Sequence, residues 1–253
     1  MPNPKRNVKS LHILKDTLTE KLYIESDSDF VRRNWSEIRS CTERESPKRT
    51  QDFRLVRIPT DEASVEERRL AISMYNKWHD KEMRTKKRRL DKIVAEQVPL
   101  FDCKEKNQWG HIDLLGVSKS SPVVIELKKK PSARDNGTTT ASETPLRMLL
   151  EGLGYAVALQ SQEVFWSKWK ELFPPCKDKS VSVICAAPAS FWVDWLPITE
   201  KGNMFQKKAR TKFHELVKHV REDGFAVDFV SVSGCEHDQN GLAIQWLDPF
   251  PLI

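Results

Sequence analysis

Two short apolar runs separated by a polar turn constrain the fold of this chain more than any other feature. Residues 109–116 and 123–130 each contain β-branched and other apolar side chains, and Gly, Ser and Pro bound them. Runs of this length and composition are typical of β-strands. The connection between them, centred on residues 119–122, is short enough for a hairpin. The sequence therefore predicts a β-hairpin near the middle of the chain.

The polar residues inside this hairpin are the candidates for chemistry. Residues i and i+2 of a strand point to the same face, so Glu126 and Lys128 project together, while Asp113 interrupts the neighbouring apolar strand. In one interpretation these residues lie on a solvated face, where ion pairs contribute little. In the other, Asp113 and Glu126 bind a hard divalent cation beside Lys128, because adjacent carboxylates repel unless they share a cation or a proton.

The segments Ile-Asp-Leu-Leu (residues 112–115) and Val-Ile-Glu-Leu-Lys (residues 124–128) resemble the active-site hairpin of the PD-(D/E)XK nuclease superfamily. In that superfamily an acid of one strand and the Glu-X-Lys of the next hold the metal ion. Asp113, Glu126 and Lys128 fall on those positions. The resemblance implies an α/β fold, with a restriction-endonuclease-like core in which α-helices flank a central mixed β-sheet.

The helix expected after the hairpin extends the resemblance. Many members of the superfamily carry Gln-x-x-x-Tyr there, and this chain has Glu-Gly-Leu-Gly-Tyr at residues 151–155. Arg147, Glu151 and Tyr155 share one helix face by their spacing, which either looks towards the metal or is half exposed. The resemblance implies a catalytic role for Glu151 and a nucleic-acid contact for Tyr155. The chain departs from the family pattern at Glu151, which replaces Gln, and at His111, where related enzymes often have Arg.

The function implied by the resemblance is metal-dependent hydrolysis of phosphodiester bonds, with DNA as the expected substrate. Asp113, Glu126 and the Leu127 carbonyl would hold Mg²⁺, or alternatively Mn²⁺, which activates water and offsets charge on the phosphorane. Lys128 would orient the water, deprotonate it or stabilise the phosphate, and the sequence leaves these roles open. The alternative is a catalytically inactive nuclease-fold protein that binds nucleic acid or protein. Cleavage of RNA instead of DNA, and endonuclease or exonuclease action, also stay open.

Composition is typical of a soluble globular protein with an excess of basic residues. The 253 residues carry a net charge of +6, which is compatible with a polyanionic partner. No apolar run approaches the length of a membrane span, and residues 1–15 lack the apolar core of a secretory signal. Five cysteines at irregular spacings predict no disulfide framework, so a reducing compartment, cytoplasm or nucleus, is expected. Nucleic acid is the expected partner, no membrane is, and a homo-oligomer or a larger complex stays open.

A basic run follows the helix that is predicted to begin at Ser64. Apolar residues continue at helical spacing up to Pro99, so the sequence predicts that this helix extends through the basic run. The run forms either a solvated face or a nucleic-acid-binding face. The candidate nucleic-acid contacts are Lys86, Lys87, Arg88 and Arg89. Nuclease relatives carry an additional acid on the helix before the hairpin, for which Glu82 is the candidate and Asp80 the alternative.

The remaining segments predict an α/β order. Residues 1–60 are predicted to be an N-terminal accessory segment, with a strand or a short helix pair at 11–24 and a strand at 53–58. Residues 61–253 are predicted to form the nuclease-like domain. Further helices are predicted at 145–157, capped by Thr144 and Pro145, at 161–173 and at 203–223. Further strands are predicted at 98–103, 181–187, 191–196, 225–232 and 242–247, and a loop at 131–144.

Overall fold

The structure is a computed structural model that describes residues 8–17, 24–46, 66–84, 89–100, 110–128, 144–176, 178–195, 204–233 and 242–247. The helices in these ranges are α1 (Leu11–Thr17), α2 (Ile24–Arg33), α3 (Trp35–Glu45), α4 (Glu66–Trp78), α5 (Pro145–Gln160), α6 (Glu163–Leu172), α7 (Ala189–Trp195) and α8 (Met204–Glu222). The strands are β1 (Met83–Arg84), β2 (Arg89–Leu90), β3 (Lys92–Pro99), β4 (His111–Ser118), β5 (Ser121–Leu127), β6 (Ser182–Pro188), β7 (Val227–Ser233) and β8 (Ala243–Leu247). No helix within these ranges is both long enough and apolar enough to cross a lipid bilayer.

The strands from β3 to β8 form one mixed sheet in which neighbours in space are also neighbours in the chain. The pairs β3–β4, β4–β5 and β7–β8 are antiparallel, whereas β5–β6 and β6–β7 are parallel. Parallel neighbours need a crossover connection. Helices α5 and α6 lie in the first crossover, and α7 and α8 lie in the second. The predicted α/β class, with helices flanking a central mixed sheet, is confirmed.

The predicted hairpin is present as β4 and β5. Ser118 lies opposite Ser121, which leaves Lys119 and Ser120 as the loop. Their φ angles of 49° and 69° place both loop residues in the left-handed region, as the type I′ turn of a two-residue hairpin requires. The backbone N–H of Lys119 donates to the Asp91 carboxylate at 2.8 Å. The turn is therefore tied to the segment that leads into β3.

Side chains of β5 alternate between two hydrophobic layers. Val124 belongs to the layer that includes buried residues of α1, α5, α6 and α8. Ile125 and Leu127 belong to the other layer, which includes buried residues of α4. Because side chains alternate along a strand, Glu126 and Lys128 lie on the same face as Val124. Glu126 and Lys128 therefore lie on the face of the sheet that α5 covers.

Helix α5 begins at the predicted cap and lies close to the sheet. The Thr144 hydroxyl accepts a hydrogen bond from the Arg147 backbone N–H at 3.0 Å, and Pro145 occupies the first turn, as this motif favours. A Cβ on Gly152 would lie 2.7 Å from Val183 Cγ1 in β6. Gly152 therefore allows α5 to pack closely against β6.

The prediction of one long helix through the basic run is wrong. Helix α4 ends at Trp78, and the short strands β1 and β2 precede β3. Leu90 and Ile93 are buried in the same layer as α4, so these apolar residues pack from strands and not from a helical stripe. Short apolar runs fit both periods, which explains the error. The strand predicted at residues 98–103 begins earlier, at Lys92, and residues 101–103 lie outside the described ranges.

The strand predicted at residues 191–196 is also wrong, because residues 189–195 form α7. The Trp192 indole N–H lies 3.1 Å from the Ala187 carbonyl and 3.0 Å from the Val230 carbonyl. Its ring also packs edge-on against Phe229, with centroids 5.7 Å apart. Such tertiary contacts override the strand preference of aromatic residues.

Most other predicted elements are confirmed, with small shifts at their ends: α5, α6, α8, β6, β7 and β8. At residues 11–24 the structure has helix α1 and the start of α2, which agrees with the predicted helix pair and not with a strand. The strand predicted at 53–58 and nearly all of the loop predicted at 131–144 lie outside the described residues.

Candidate active site

Ionisable side chains of the sequence-predicted site meet beneath α5. Asp113 on β4, Glu126 on β5, Lys128 after β5 and Glu151 on α5 each expose between 3% and 9% of their surface. Lys128 Nζ lies 2.8 Å from Glu126 Oε1 and 2.8 Å from Glu151 Oε2. Buried charges of this kind need partners to offset the loss of hydration. The ammonium therefore links a strand carboxylate to a helix carboxylate.

Hydrogen bonds fix the orientation of the Asp113 carboxylate. Its Oδ2 accepts from the Leu127 backbone N–H at 2.9 Å, and its Oδ1 accepts from Gln97 Nε2 at 3.2 Å. Gln97 has a φ of 47°, a left-handed conformation that is uncommon for residues other than glycine. The N–H and C=O of one strand residue point to the same edge. The Leu127 carbonyl therefore lies on the side of Asp113.

Burial opposes ionisation of the Asp113 and Glu126 carboxylates. Burial raises the pKa of Asp113 from 3.8 to about 6, although the charge of Lys128 and the Leu127 N–H oppose this shift. Burial also raises the pKa of Glu126 well above its ordinary value, and the negative charge of Asp113 adds to the effect. A cation bound between the two carboxylates would favour their ionised forms.

Glu151 lies in a more positive environment than the two strand carboxylates. Burial acts to raise its pKa, but the charge and hydrogen bond of Lys128, together with Arg147, outweigh burial and lower the pKa to about 2. Arg147 Nε lies 3.2 Å from Glu151 Oε1, and Lys15 Nζ lies 3.7 Å from the same oxygen. Glu151 is therefore an anion at neutral pH, suited to holding cations and unsuited to donating a proton.

Tyr155 lies one turn further along α5, against the start of β4. A Cβ on Gly110 would lie 2.8 Å from the Tyr155 hydroxyl oxygen, and Gly110 has a φ of 77°, so both space and backbone conformation favour glycine there. Burial and the charges of Glu126 and Glu151 raise the pKa of Tyr155. The phenol therefore keeps its proton. Its buried ring offers no face on which a base could stack, so the structure gives no support to a stacking contact.

The two candidate acids that follow α4 are not brought to this cluster. Asp80 and Glu82 are exposed and lie beyond the end of α4. Helix α4 packs on the opposite face of the sheet, in the layer that contains Ile125 and Leu127. Alternation along β5 therefore separates α4 from Glu126.

Other predicted contacts lie at or beyond the edge of the described ranges. His111 is exposed at the beginning of β4. Arg89 lies in β2, opposite Arg84 of β1, and not on a helical face. Lys86, Lys87 and Arg88 lie outside the described residues. Their contact with nucleic acid stays a prediction from charge alone.

The sequence pattern does not predict that Gln97 and Lys15 contact the cluster. Gln97 is marked only by the polar pair at positions 96 and 97, which lies between apolar residues of β3. Lys15 contacts Glu151 from α1, and no local pattern signals a contact over so long a stretch of chain. Both residues depend on tertiary packing for their position in the site.

The donor chemistry of the cluster fits Mg²⁺ or Mn²⁺. Glu126 Oε2 is buried and accepts no hydrogen bond from the part of the chain that the structure describes. Together with Asp113 and the Leu127 carbonyl it offers the oxygen ligands that hard cations prefer. Within the described ranges, no group of three or more His, Cys, Asp or Glu side chains is arranged to hold a metal ion. The donor set at this site has two carboxylates and one carbonyl.

No protein-family model, curated protein or solved structure matches this chain.

Proposed function

We propose that this chain is a metal-dependent nuclease that hydrolyses phosphodiester bonds in DNA. The observation that carries the proposal is the buried cluster, in which Lys128 Nζ lies 2.8 Å from Glu126 and Glu151 beside a carboxylate, Asp113, whose pKa is raised to about 6. An antiparallel hairpin followed by a helix that covers its polar face is consistent with the restriction-endonuclease-like core that the resemblance implies.

Each residue of the cluster has a distinct role in this proposal. Asp113, Glu126 and the Leu127 carbonyl would hold Mg²⁺ or Mn²⁺. When bound, such an ion supplies Lewis-acid stabilisation and lowers the pKa of water. Lys128, held by two carboxylates, orients the attacking water or stabilises charge on the phosphate. Glu151 fixes the ammonium from the helix side, and Gln97 fixes Asp113 from β3.

Cleavage of supercoiled plasmid tests the proposal. We expect purified protein to nick or linearise the plasmid with Mg²⁺ or Mn²⁺, and EDTA to stop the reaction. Asp113→Asn and Glu126→Gln should abolish cleavage while keeping the fold, because each preserves shape and removes one of two repelling charges. Glu222→Gln is the matched control, since this glutamate lies on the exposed side of α8, and it should cleave like the wild type.

Two results would contradict the proposal. Wild-type cleavage by Glu126→Gln would show that the activity does not come from this cluster. A protein that shifts plasmid in a gel but cleaves it with neither metal ion would instead support the catalytically inactive, nucleic-acid-binding alternative.

A further inference from the structure

Lys15 is placed beside the cluster by the packing of α1 on α5. Leu11 and Leu14 of α1 are buried in the same layer as α5, and a Cβ on Gly154 would lie 3.5 Å from Leu11 Cβ. The Lys15 side chain extends from the last turn of α1 and exposes 11% of its surface. Helix α1 therefore places the largely buried ammonium of Lys15 at the edge of the site.

Lys15 and Glu151 form an ion pair without a hydrogen bond, so this contact does not use the N–H donors of the Lys15 ammonium. Lys15 Nζ lies 3.7 Å from Glu151 Oε1, which is beyond hydrogen-bond length. Arg147 Nε is closer to that oxygen at 3.2 Å, and Lys128 lies 2.8 Å from the other oxygen. A lysine ammonium carries three donors. Glu151 holds Lys15 near the site and leaves it capacity for a further anionic acceptor.

The charges of the cluster favour an anion once a divalent cation is present. Among the described residues, the carboxylates of Asp113, Glu126 and Glu151 are matched by Lys128, Arg147 and Lys15. A divalent cation held by Asp113 and Glu126 would leave this group with a positive excess. A phosphodiester is an anion with free oxygens that accept hydrogen bonds from ammonium groups.

We infer that Lys15 binds a non-bridging phosphate oxygen of the nucleic-acid strand that occupies the site. This inference rests on the proposed nuclease function and adds a substrate-binding residue from α1. In the competing explanation Lys15 only bridges α1 to α5 through Glu151. The two explanations differ because binding to phosphate affects substrate affinity and its salt dependence, whereas a bridge affects stability.

The test replaces Lys15 by Met, which keeps an unbranched apolar side chain and removes the charge. Lys9→Met is the matched control, because Lys9 is exposed two residues before α1 and loses the same charge. Binding of a DNA duplex is measured by fluorescence anisotropy over a series of salt concentrations, with Ca²⁺, a hard cation that also prefers oxygen ligands, in place of Mg²⁺. Cleavage of the same duplex with Mg²⁺ gives kcat and KM, and thermal unfolding gives Tm.

We expect Lys15→Met to weaken binding and raise KM about tenfold, the scale of one hydrogen bond between charged groups. The slope of log Kd against log salt should become shallower by about 0.9, the value for one phosphate that is no longer neutralised. Lys15→Arg should restore most of the binding, since a guanidinium also binds phosphate. Lys9→Met should match the wild type in slope and KM.

Two outcomes would overturn the inference. If Lys15→Met lowers Tm but keeps the slope and KM of Lys9→Met, Lys15 is a bridge only, while wild-type cleavage leaves the nuclease proposal standing. If the wild type neither binds nor cleaves the duplex, the nuclease proposal fails and the inference fails with it.

Discussion

At the scale of single residues, the buried cluster brings carboxyl groups of like charge close together. Asp113 and Glu126 both have raised pKa values, because burial favours their neutral forms. The negative charge of Glu151 adds to the shift at both residues, and that of Asp113 adds to it at Glu126. Lys128 reduces this repulsion but also pairs with Glu151. The folded chain without metal therefore tolerates an unfavourable arrangement that a bound cation would relieve.

The first prediction at this scale concerns stability and pH. The pKa of Asp113 is about 6 in the folded chain, against an ordinary 3.8, so the folded state binds more protons between pH 4 and 6. This carboxyl's contribution to stability is present below that window and is lost as pH rises through it. The difference of roughly two pKa units corresponds to about 3 kcal/mol. In EDTA, Asp113→Asn should raise the free energy of unfolding at pH 8 by up to this amount.

Urea unfolding of the wild type and Asp113→Asn at pH 4 and pH 8 measures the effect. The difference between the two proteins should vanish at pH 4, where the wild-type carboxyl is protonated. Added Mg²⁺ at pH 8 should stabilise the wild type and leave Asp113→Asn unchanged. An Asp113→Asn variant that is less stable than the wild type at pH 8 in EDTA would contradict the raised pKa.

The second prediction at this scale separates cleavage from binding at Lys128. Lys128→Ala should lower single-turnover cleavage by a factor on the order of 10² or more, the scale for loss of a positioned electrostatic or proton-transfer group. It should also lower stability by about 3 kcal/mol, because Glu126 and Glu151 lose the cation between them. Calorimetry should show that Mg²⁺ binding is retained, since an ammonium is not a metal ligand.

Variants of matched charge check this prediction. Lys128→Arg should not restore full cleavage, because a planar guanidinium has a different shape and keeps its proton. Lys170→Ala removes an exposed lysine of α6 and should cleave like the wild type. If Lys128→Ala also cleaves like the wild type, the Glu-Leu-Lys segment has no catalytic role.

At the scale of elements, the sequence predicts best where local chemistry and tertiary packing agree. The hairpin follows from β-branched runs around a short turn, and α5 follows from Thr144, Pro145 and an apolar stripe. Prediction fails at residues 81–99, where basic residues and scattered apolar ones fit a helical period although the chain forms β1, β2 and β3. It fails again at α7, whose Trp192 is positioned by carbonyls of β6 and β7.

A prediction at this scale tests the spacing between α5 and the sheet. Gly152→Ala should destabilise the chain by about 1 to 2 kcal/mol, because its Cβ would lie 2.7 Å from Val183 Cγ1 and overpacking outweighs the gain in helix propensity. Gly154→Ala, in the same helix, is the control. Its Cβ would lie 3.5 Å from Leu11 Cβ, an ordinary contact, so it should stabilise by up to about 1 kcal/mol. Urea unfolding that ranks the two variants in the opposite order would refute this account.

At the scale of the whole molecule, the site is assembled from distant parts of the chain. The sequence identifies Asp113, Glu126, Lys128 and Glu151, because a hairpin and the following helix bring them together by local rules. It does not identify Lys15 or Gln97, whose positions depend on the docking of α1 and on the pairing of β3 with β4. Leu11 and Leu14 belong to the same hydrophobic layer as α5, so α1 is part of this core.

The prediction at this scale concerns the distribution of positive charge. Neutralising Lys86, Lys87 and Arg88 to Gln should weaken DNA binding uniformly across sequences and make its salt dependence shallower by about 0.9 for each phosphate that is no longer neutralised. The control neutralises three exposed lysines on α6 and α8, Lys170, Lys208 and Lys218, and should change the slope less. Equal slopes for the two triple variants would show that the basic run is only a solvated surface.

The order in which the parts of this cluster are synthesised determines when it can act. A ribosome makes the hairpin before α5, at about 5 to 20 residues per second, and α5 packs partly on β6, which is made later still. Until those segments have emerged and docked, Lys128 has no Glu151 to hold it. If the proposed nuclease activity resides in this cluster, the nascent chain cannot cleave nucleic acid until α5 and β6 have been made and have docked on the hairpin.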